Sequence, residues 1–241
     1  MLDMATPTPT PKPKLTPTPT PMSSMIPGER AVVVLPQTNQ LRATHAIIRD
    51  RSAARADFVF HASRIIRLLV EEALNHVRYV PCSVETPSGG MYEGLRPASK
   101  ICGVSVIRAG ESMEAELRAV CPGIRIGKIL IQRDKTTKQP RFYYENLPVD
   151  IAERQVLLLE PMLATGGTAL AATGLLLERG VREEDIVFVA FIAAPEGIAA
   201  LHARYPKVTI VTSAIEQRLN DQAYMLPGIG DFGDRFFGTT G

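Results

Sequence analysis

Residues 156–180, VLLLEPMLATGGTALAATGLLLERG, set an acidic residue, a small-residue turn and an apolar helix in direct succession. The apolar run ends at Glu160, the turn is Thr165-Gly166-Gly167-Thr168, and the helix opens directly behind it. This order of residue types suits phosphate binding. Paired glycines can take positive φ and let the backbone approach a ligand closely. The free N–H groups of a helix start, with the positive end of its dipole, attract an anion. Thr165 and Thr168 add hydroxyl donors at the same place. Glu160 stands too early in the turn to meet that phosphate and is better placed for sugar hydroxyls. Phosphate beside sugar implies a phosphorylated ribose. The same strand–glycine–helix turn also occurs in α/β proteins that bind nothing there. It is not a Walker loop, since no Lys precedes Thr168, and the G-x-G-x-x-G spacing of a dinucleotide fingerprint is absent.

Two further apolar runs end in residues of the same kind of chemistry. One closes in Arg108-Ala109-Gly110-Glu111-Ser112 and the other in Arg133-Asp134-Lys135. Two guanidinium groups beside a phosphate turn offer permanent charge and fixed-geometry donors, which suits a pyrophosphate. Near the end of the chain, AYMLPGIGDFGDRFFG (residues 223–238) places four glycines around two aspartates. As a glycine-rich loop it could simply fill space. It could also turn backbone N–H and C=O groups toward a flat ligand whose edge alternates donors and acceptors, as a pyrimidine base does.

These residues must be positioned by a scaffold, and the pattern predicts a parallel one. Residues 32–35 form a short β-branched run. Residues 52–79 change to helical spacing, with Phe58, Ala62, Ile65, Ile66, Leu69, Ala73 and Val77 on one face and Ser52 as the expected N-cap. Arg64, Arg67, Glu71 and Glu72 make the solvated face. Continuous apolar strands are expected at 101–108, 126–133, 156–160, 186–194 and 208–214. Helices are expected between them, closing at Gly123 and Gly180, with a further one opening at Pro195. The fold class is therefore α/β, a twisted parallel sheet with helices on both faces. Ligands in such sheets bind in the crevice at the carboxyl ends of the strands, where Arg108, Arg133 and Glu160 all fall. Residues 134–148, rich in charge and turn formers, break the alternation and read as a projecting hairpin that covers the site or pairs with another subunit.

Composition narrows the classes. In a chain of 241 residues, residues 1–25 alternate Thr and Pro and form a tail that buries nothing; residues 26–241 suit one domain. The tail lacks the apolar core of a secretion signal and the arginines of a transit peptide. Formal charge is +2, and Lys12 and Lys14 against Asp3 place half of it in the tail. A near-neutral body gives no basis for nucleic-acid or membrane affinity, so anion binding must come from local placement. Cys82, Cys102 and Cys121 have neither zinc nor redox spacing and read as reduced core residues of a cytoplasmic protein. His45, His61, His76 and His202 are scattered and read as structural.

Four stretches together, VIRAGESM (106–113), ILIQRD (129–134), EPMLATGGT (160–168) and LPGIGDFGDRFFGT (226–239), resemble the uracil phosphoribosyltransferases, of the type I phosphoribosyltransferase family. GESME, RIGKILIQRD and GDFGDR give the likeness a eukaryotic, protozoan-type cast, and it covers residues 35–241. The resemblance implies a site that takes 5-phosphoribosyl 1-pyrophosphate and uracil and gives UMP. Glu160, Pro161, Met162, Leu163, Ala164, Thr165, Gly166, Gly167 and Thr168 would hold the 5′-phosphate and ribose. Arg108 and Arg133 would hold pyrophosphate with Mg²⁺, which is carried by the pyrophosphate and not ligated directly by the protein. Asp231 would lie on the phosphoribosyl side, and Arg108, Arg133 and Asp231 would be the catalytic set. Backbone atoms at Met225, Gly230 and Phe232, with Asp231, would read the uracil edge. The turn at Arg108-Ala109, often strained or cis in such enzymes, would be the pyrophosphate loop. The family loop usually begins Asp-Pro, whereas this chain has Glu160-Pro161, which moves the carboxylate outward by one methylene. A homodimer or homotetramer is implied, and GTP is a candidate activator. Two other readings stand beside this one: a non-catalytic homologue that senses uracil or the phosphoribosyl donor, and a phosphoribosyltransferase for a different base.

Overall fold

The computed structural model of the protein describes residues 32–133 and 140–239; the Thr/Pro tail and residues 134–139 of the expected hairpin lie outside that range. In chain order the main-sheet strands are β1 (Val32–Val34), β4 (Ile101–Ile107), β5 (Arg125–Arg133), β6 (Pro140–Asn146), β7 (Gln155–Leu159), β9 (Ile186–Ala190) and β11 (Thr209–Thr212). Short pairs form three further small sheets: β2 (Tyr79–Glu85) with β3 (Met91–Pro97), β8 (Met162–Leu163) with β10 (Ile192–Ala193), and β12 (Arg218–Leu219) with β13 (Met225–Leu226). The helices are α1 (Asn39–Arg49), α2 (Arg55–Leu74), α3 (Glu114–Val120), α4 (Gly167–Glu178), α5 (Pro195–Arg204) and α6 (Phe232–Phe237).

The seven-stranded sheet runs β1-β11-β9-β7-β4-β5-β6 and is parallel except where β6 returns antiparallel to β5. Its strands read as unbroken apolar runs because both faces are covered. Leu157, Leu159, Val187, Val189 and Val211 pack against α2, α3 and α6. Their neighbours Val156, Leu158, Ile186, Phe188 and Ile210 pack against α4 and α5. Strand alternation thus splits one hydrophobic run between two cores. The winding reverses at the middle of the sheet. β4 is followed by β5 on one side, while β7 is followed by β9 on the other. The crevice of such a sheet opens between β4 and β7.

Several expectations need correction. Ser52 does not cap α2; its hydroxyl donates to Asp50 Oδ1 at 2.6 Å, and α2 starts three residues later with Ala54 at the cap. The preceding helix α1, capped by the Thr38 side chain, buries Leu41, Thr44, His45 and Ile48 at helical spacing, a stripe that is half polar. The segment after β5 is not a free arm where it is described, since residues 140–146 pair with β5 as the sheet edge. The separate hairpin is β2–β3, which leaves Val84, Met91, Tyr92 and Leu95 exposed. Cys102 is buried in the core, but Cys82 lies half-buried on that hairpin. Residues 186–194 are two strands in different sheets, and the glycine-rich end is not all loop: it contains β13 and α6.

The end of the chain is tied to α1 by a buried ion pair. Arg49 Nη2 donates to Glu216 Oε1 at 2.5 Å, and the same carboxylate accepts from the Gly228 N–H at 2.7 Å. The Glu216 side chain is 1% exposed. Removing one partner leaves the other charge uncompensated, so Glu216→Ala should cost about 3–5 kcal/mol in a urea unfolding series. His45 sits one turn before Arg49 against the Phe191 ring, and neither ring nitrogen finds a hydrogen-bond partner. Burial, and then Arg49, lower its pKa from 6.5 to about 4. Between those values the unfolded chain binds a proton that the folded chain refuses, so stability falls as pH drops from about 6.5 to about 4. His45→Leu should flatten that part of a stability–pH curve.

Candidate active site

The phosphate turn begins where β7 ends. Pro161 offers its carbonyl to the N–H groups of Phe191 and Ile192 at 2.8 and 3.1 Å, and Leu163 accepts from Ala194 at 2.8 Å. β8 pairs in parallel with β10. These bonds lock the loop to the neighbouring strand before it turns. Gly166 then takes φ 82° as the N-cap of α4, a left-handed conformation that disfavours side chains. Gly166 has no side chain to cap the helix start, which opens with Gly167 and Thr168 on the wall of a small cavity. Glu160, Met162, Leu163, Ala164, Gly166, Gly167 and Thr168 line a cavity of about 190 Å³ here.

On the other side of the switch point, β4 ends at Ile107 and the Ile107–Arg108 peptide bond is cis, one bond ahead of the expected irregularity at Arg108-Ala109. A 3-10 turn follows over Ala109–Met113. It lies directly on β7: a Cβ at Gly110 would stand 2.3 Å from the Leu159 carbonyl oxygen, so only glycine fits. The turn is held from below by charge. Lys128 Nζ contacts Glu111 Oε1 at 2.5 Å, and the Ser105 hydroxyl donates to Glu114 Oε1 at 2.6 Å. Burial pushes the Glu114 carboxyl up, but hydrogen bonds from Ser105, Arg118 and Lys128 together hold it below its ordinary value.

A second cavity, of about 290 Å³, joins this turn to the end of the chain. Arg108, Ala109, Met162, Ala164, Met225, Gly230, Asp231 and Phe232 are among its lining residues. Met162 and Ala164 line both cavities, so the two spaces adjoin. The Phe232 side chain is 1% exposed and contacts the rings of Phe58, Phe191 and Phe236 at 5.6, 5.1 and 5.6 Å. Its ring belongs to the core, which leaves its backbone to face the cavity. Met225 is likewise buried, whereas Gly230 is exposed at φ 75°. Asp231 caps α6 by accepting the Asp234 N–H at 2.8 Å.

The structure therefore brings together Arg108, the Glu160–Thr168 turn and the residues 225–232, which lie far apart in sequence. Arg133 stands at the carboxyl end of β5, with its side chain outside the described set. Ala109 lines the cavity beside Arg108, as expected of that turn, whereas sequence reasoning singled out neither Ala223, Tyr224 and Gly233 in the cavity wall nor the partners of Arg108: Nη2 donates to Asp234 Oδ1 at 2.7 Å and Nη1 to Thr239 Oγ1 at 2.8 Å. The second aspartate of GDFGD was the available signal for the former. Among the described residues no group of three or more His, Cys, Asp or Glu is placed to hold a metal ion. Nor is any described helix long and apolar enough to cross a membrane.

Comparison with known proteins agrees with this geometry. A uracil phosphoribosyltransferase from Dictyostelium discoideum is 56% identical over 208 residues, covering 86% of this chain and 96% of that protein. One from Saccharomyces cerevisiae is 53% identical over 206 residues, covering 86% and 95%. Among solved structures, the AQ2163 protein from Aquifex aeolicus superposes with a TM-score of 0.76 at 28% identity, covering 87% of this chain and 99% of that one. The family model for uracil phosphoribosyltransferase matches residues 34–239, and the chain belongs to that family.

Proposed function

We propose that this protein salvages uracil, transferring the phosphoribosyl group of 5-phosphoribosyl 1-pyrophosphate to the base and releasing UMP and pyrophosphate. The observation that carries the reading is the pair of adjoining cavities: one at a glycine turn and helix start, the other beside the terminal segment, with Arg108 in the wall of the second. A nucleotide has that plan, with phosphate at one end and base at the other. Uracil nitrogen would attack the anomeric carbon as the C–O bond to pyrophosphate breaks and the nitrogen gives up its proton. The transition state resembles an oxocarbenium ion, so the protein needs no nucleophile of its own. Alignment of base and sugar, and positive charge at the leaving group, supply the rate. This accords with histidines that are buried or scattered and with the Cys102 thiol, which burial pushes up to about 12.

Each residue has a role in that scheme. The backbone of residues 164–168 binds the 5′-phosphate, and Glu160 meets the ribose hydroxyls. Arg108 and Arg133 hold the pyrophosphate, and backbone groups at Met225, Gly230 and Phe232 select the base. Mg²⁺ fits as the counter-ion that the pyrophosphate carries in, since it favours substrate phosphates over all-protein cages; it would supply charge neutralisation at the leaving group. Arg108, the glycine turn and Asp231 support catalysis over a sensor that only binds. The apolar side chains exposed on β2–β3 support a homo-oligomer, and a near-neutral body with reduced thiols supports a cytoplasmic location. GTP as an activator rests on the family resemblance.

The direct test is UMP formation from labelled uracil, 5-phosphoribosyl 1-pyrophosphate and Mg²⁺, with and without GTP. Arg108→Ala and Arg133→Ala should each lower kcat/KM by about 10²–10³; unchanged turnover in both would remove them from the site. Glu160→Asp restores the shorter carboxylate and should keep or raise turnover. A misplacement near an ångström can cost ~10²-fold, so a large loss in that variant would show that Glu160 is set for the geometry it has.

A further inference from the structure

Arg108 does not reach the cavity as a free side chain. It is held by the last turn of the described chain. Its Nη2 donates to Asp234 Oδ1 at 2.7 Å, its Nη1 donates to Thr239 Oγ1 at 2.8 Å, and the Thr239 hydroxyl donates to the same Asp234 oxygen at 2.6 Å. The Phe237 ring lies 5.8 Å from the guanidinium carbon. Hydrogen bonds from Thr239, then Arg108, hold the Asp234 carboxyl below its ordinary pKa, so it is ionised at neutral pH. A guanidinium has five N–H donors in a fixed plane. Two being occupied on one edge, the orientation of the plane is set and the other donors are left to the cavity, with the side chain still 45% exposed.

We propose that Asp234 is a positioning residue: with Thr239 it fixes the Arg108 guanidinium in the plane that receives the pyrophosphate. The proposal rests on the functional reading above and deepens it. Asp234 belongs to α6, whose first residue, Phe232, packs in the core and whose cap, Asp231, lines the cavity. One short helix thereby places both the base-facing backbone and the pyrophosphate-facing arginine. Asp234's role in the fold is separable from its carboxylate, because its contact with Asp231 is made through the backbone N–H. An Asn side chain there would keep the size and lose the charge-assisted bond.

The test combines 5-phosphoribosyl 1-pyrophosphate binding by calorimetry with steady-state kinetics on the full chain. Asp234→Asn should weaken binding and raise KM for the phosphoribosyl donor about tenfold or more, with KM for uracil within about twofold. Asp234→Glu should recover part of the loss. Because the effect runs through Arg108, Arg108→Ala and the double variant Arg108→Ala/Asp234→Asn should bind the donor equally. The proposal is overturned if Asp234→Asn leaves donor affinity unchanged or tightens it, or if its effect multiplies with that of Arg108→Ala. Donor binding by the unaltered chain without UMP formation would sink the functional reading instead, while the calorimetric comparison would still decide the role of Asp234.

Discussion

The site depends on one buried ring. Phe232 sits among Phe58 from α2, Phe191 from the strand-end segment after β9, and Phe236 from its own helix. Fully burying such a side chain is worth about 1.5–3 kcal/mol, and edge-on and tilted ring contacts add to that. Its consequence is positional. α6 is six residues long, too short to hold itself together. Anchored by Phe232, it brings the Asp231 cap, the Gly230 turn and Asp234 to the end of β4. Arg235 reinforces the anchor: its guanidinium lies 4.2 Å from the Phe58 ring centroid and bonds the Ile48, Ile229 and Asp50 carbonyls.

Local arrangement, not net charge, is what suits this crevice to an anion. The whole chain carries a formal +2, and much of its basic surface is paired. The features suited to an anion there are the start of α4, Arg108 paired with Asp234, and a glycine turn that keeps side chains out. Larger cavities, of about 380 and 640 Å³, lie away from the crevice. Size alone would have pointed elsewhere. What singles out the crevice is that donors of phosphate-binding kind and a backbone edge of base-reading kind face adjoining spaces.

Strand alternation, helix periodicity and turn chemistry are local properties, and so the sequence by itself determined the α/β class, most strand positions, and the chemical kind of the Glu160–Thr168 turn. The buried face of α2 was legible for the same reason: Phe58, Ile65, Ile66, Leu69 and Ala73 recur at helical spacing because that face meets the sheet. Legibility failed where pairing is decided at a distance. The buried stripe of α1 is half polar, with Thr44 and His45 between Leu41 and Ile48, and β2–β3 carries mixed residues on exposed faces, so a search for purely apolar periods passes over both. The Gly- and Asp-rich end read as loop because Gly and Asp have poor helix propensity, and only the contact of Phe232 with a core built elsewhere makes a helix of it.

Only the tertiary structure decided which residues share the site. Arg108, Met162, Ala164 and residues 223–233 meet because the winding reverses between β4 and β7 and because the C-terminal segment folds back over that gap. Nothing in the composition of residues 223–238 states which strand end they will cover. That choice is made by burial: the arrangement that removes Phe232 and Met225 from water also sets Asp234 against Arg108. Sequence fixes what each residue can do, whereas packing selects its partners, since apolar burial is additive over the whole core and non-directional at any one residue.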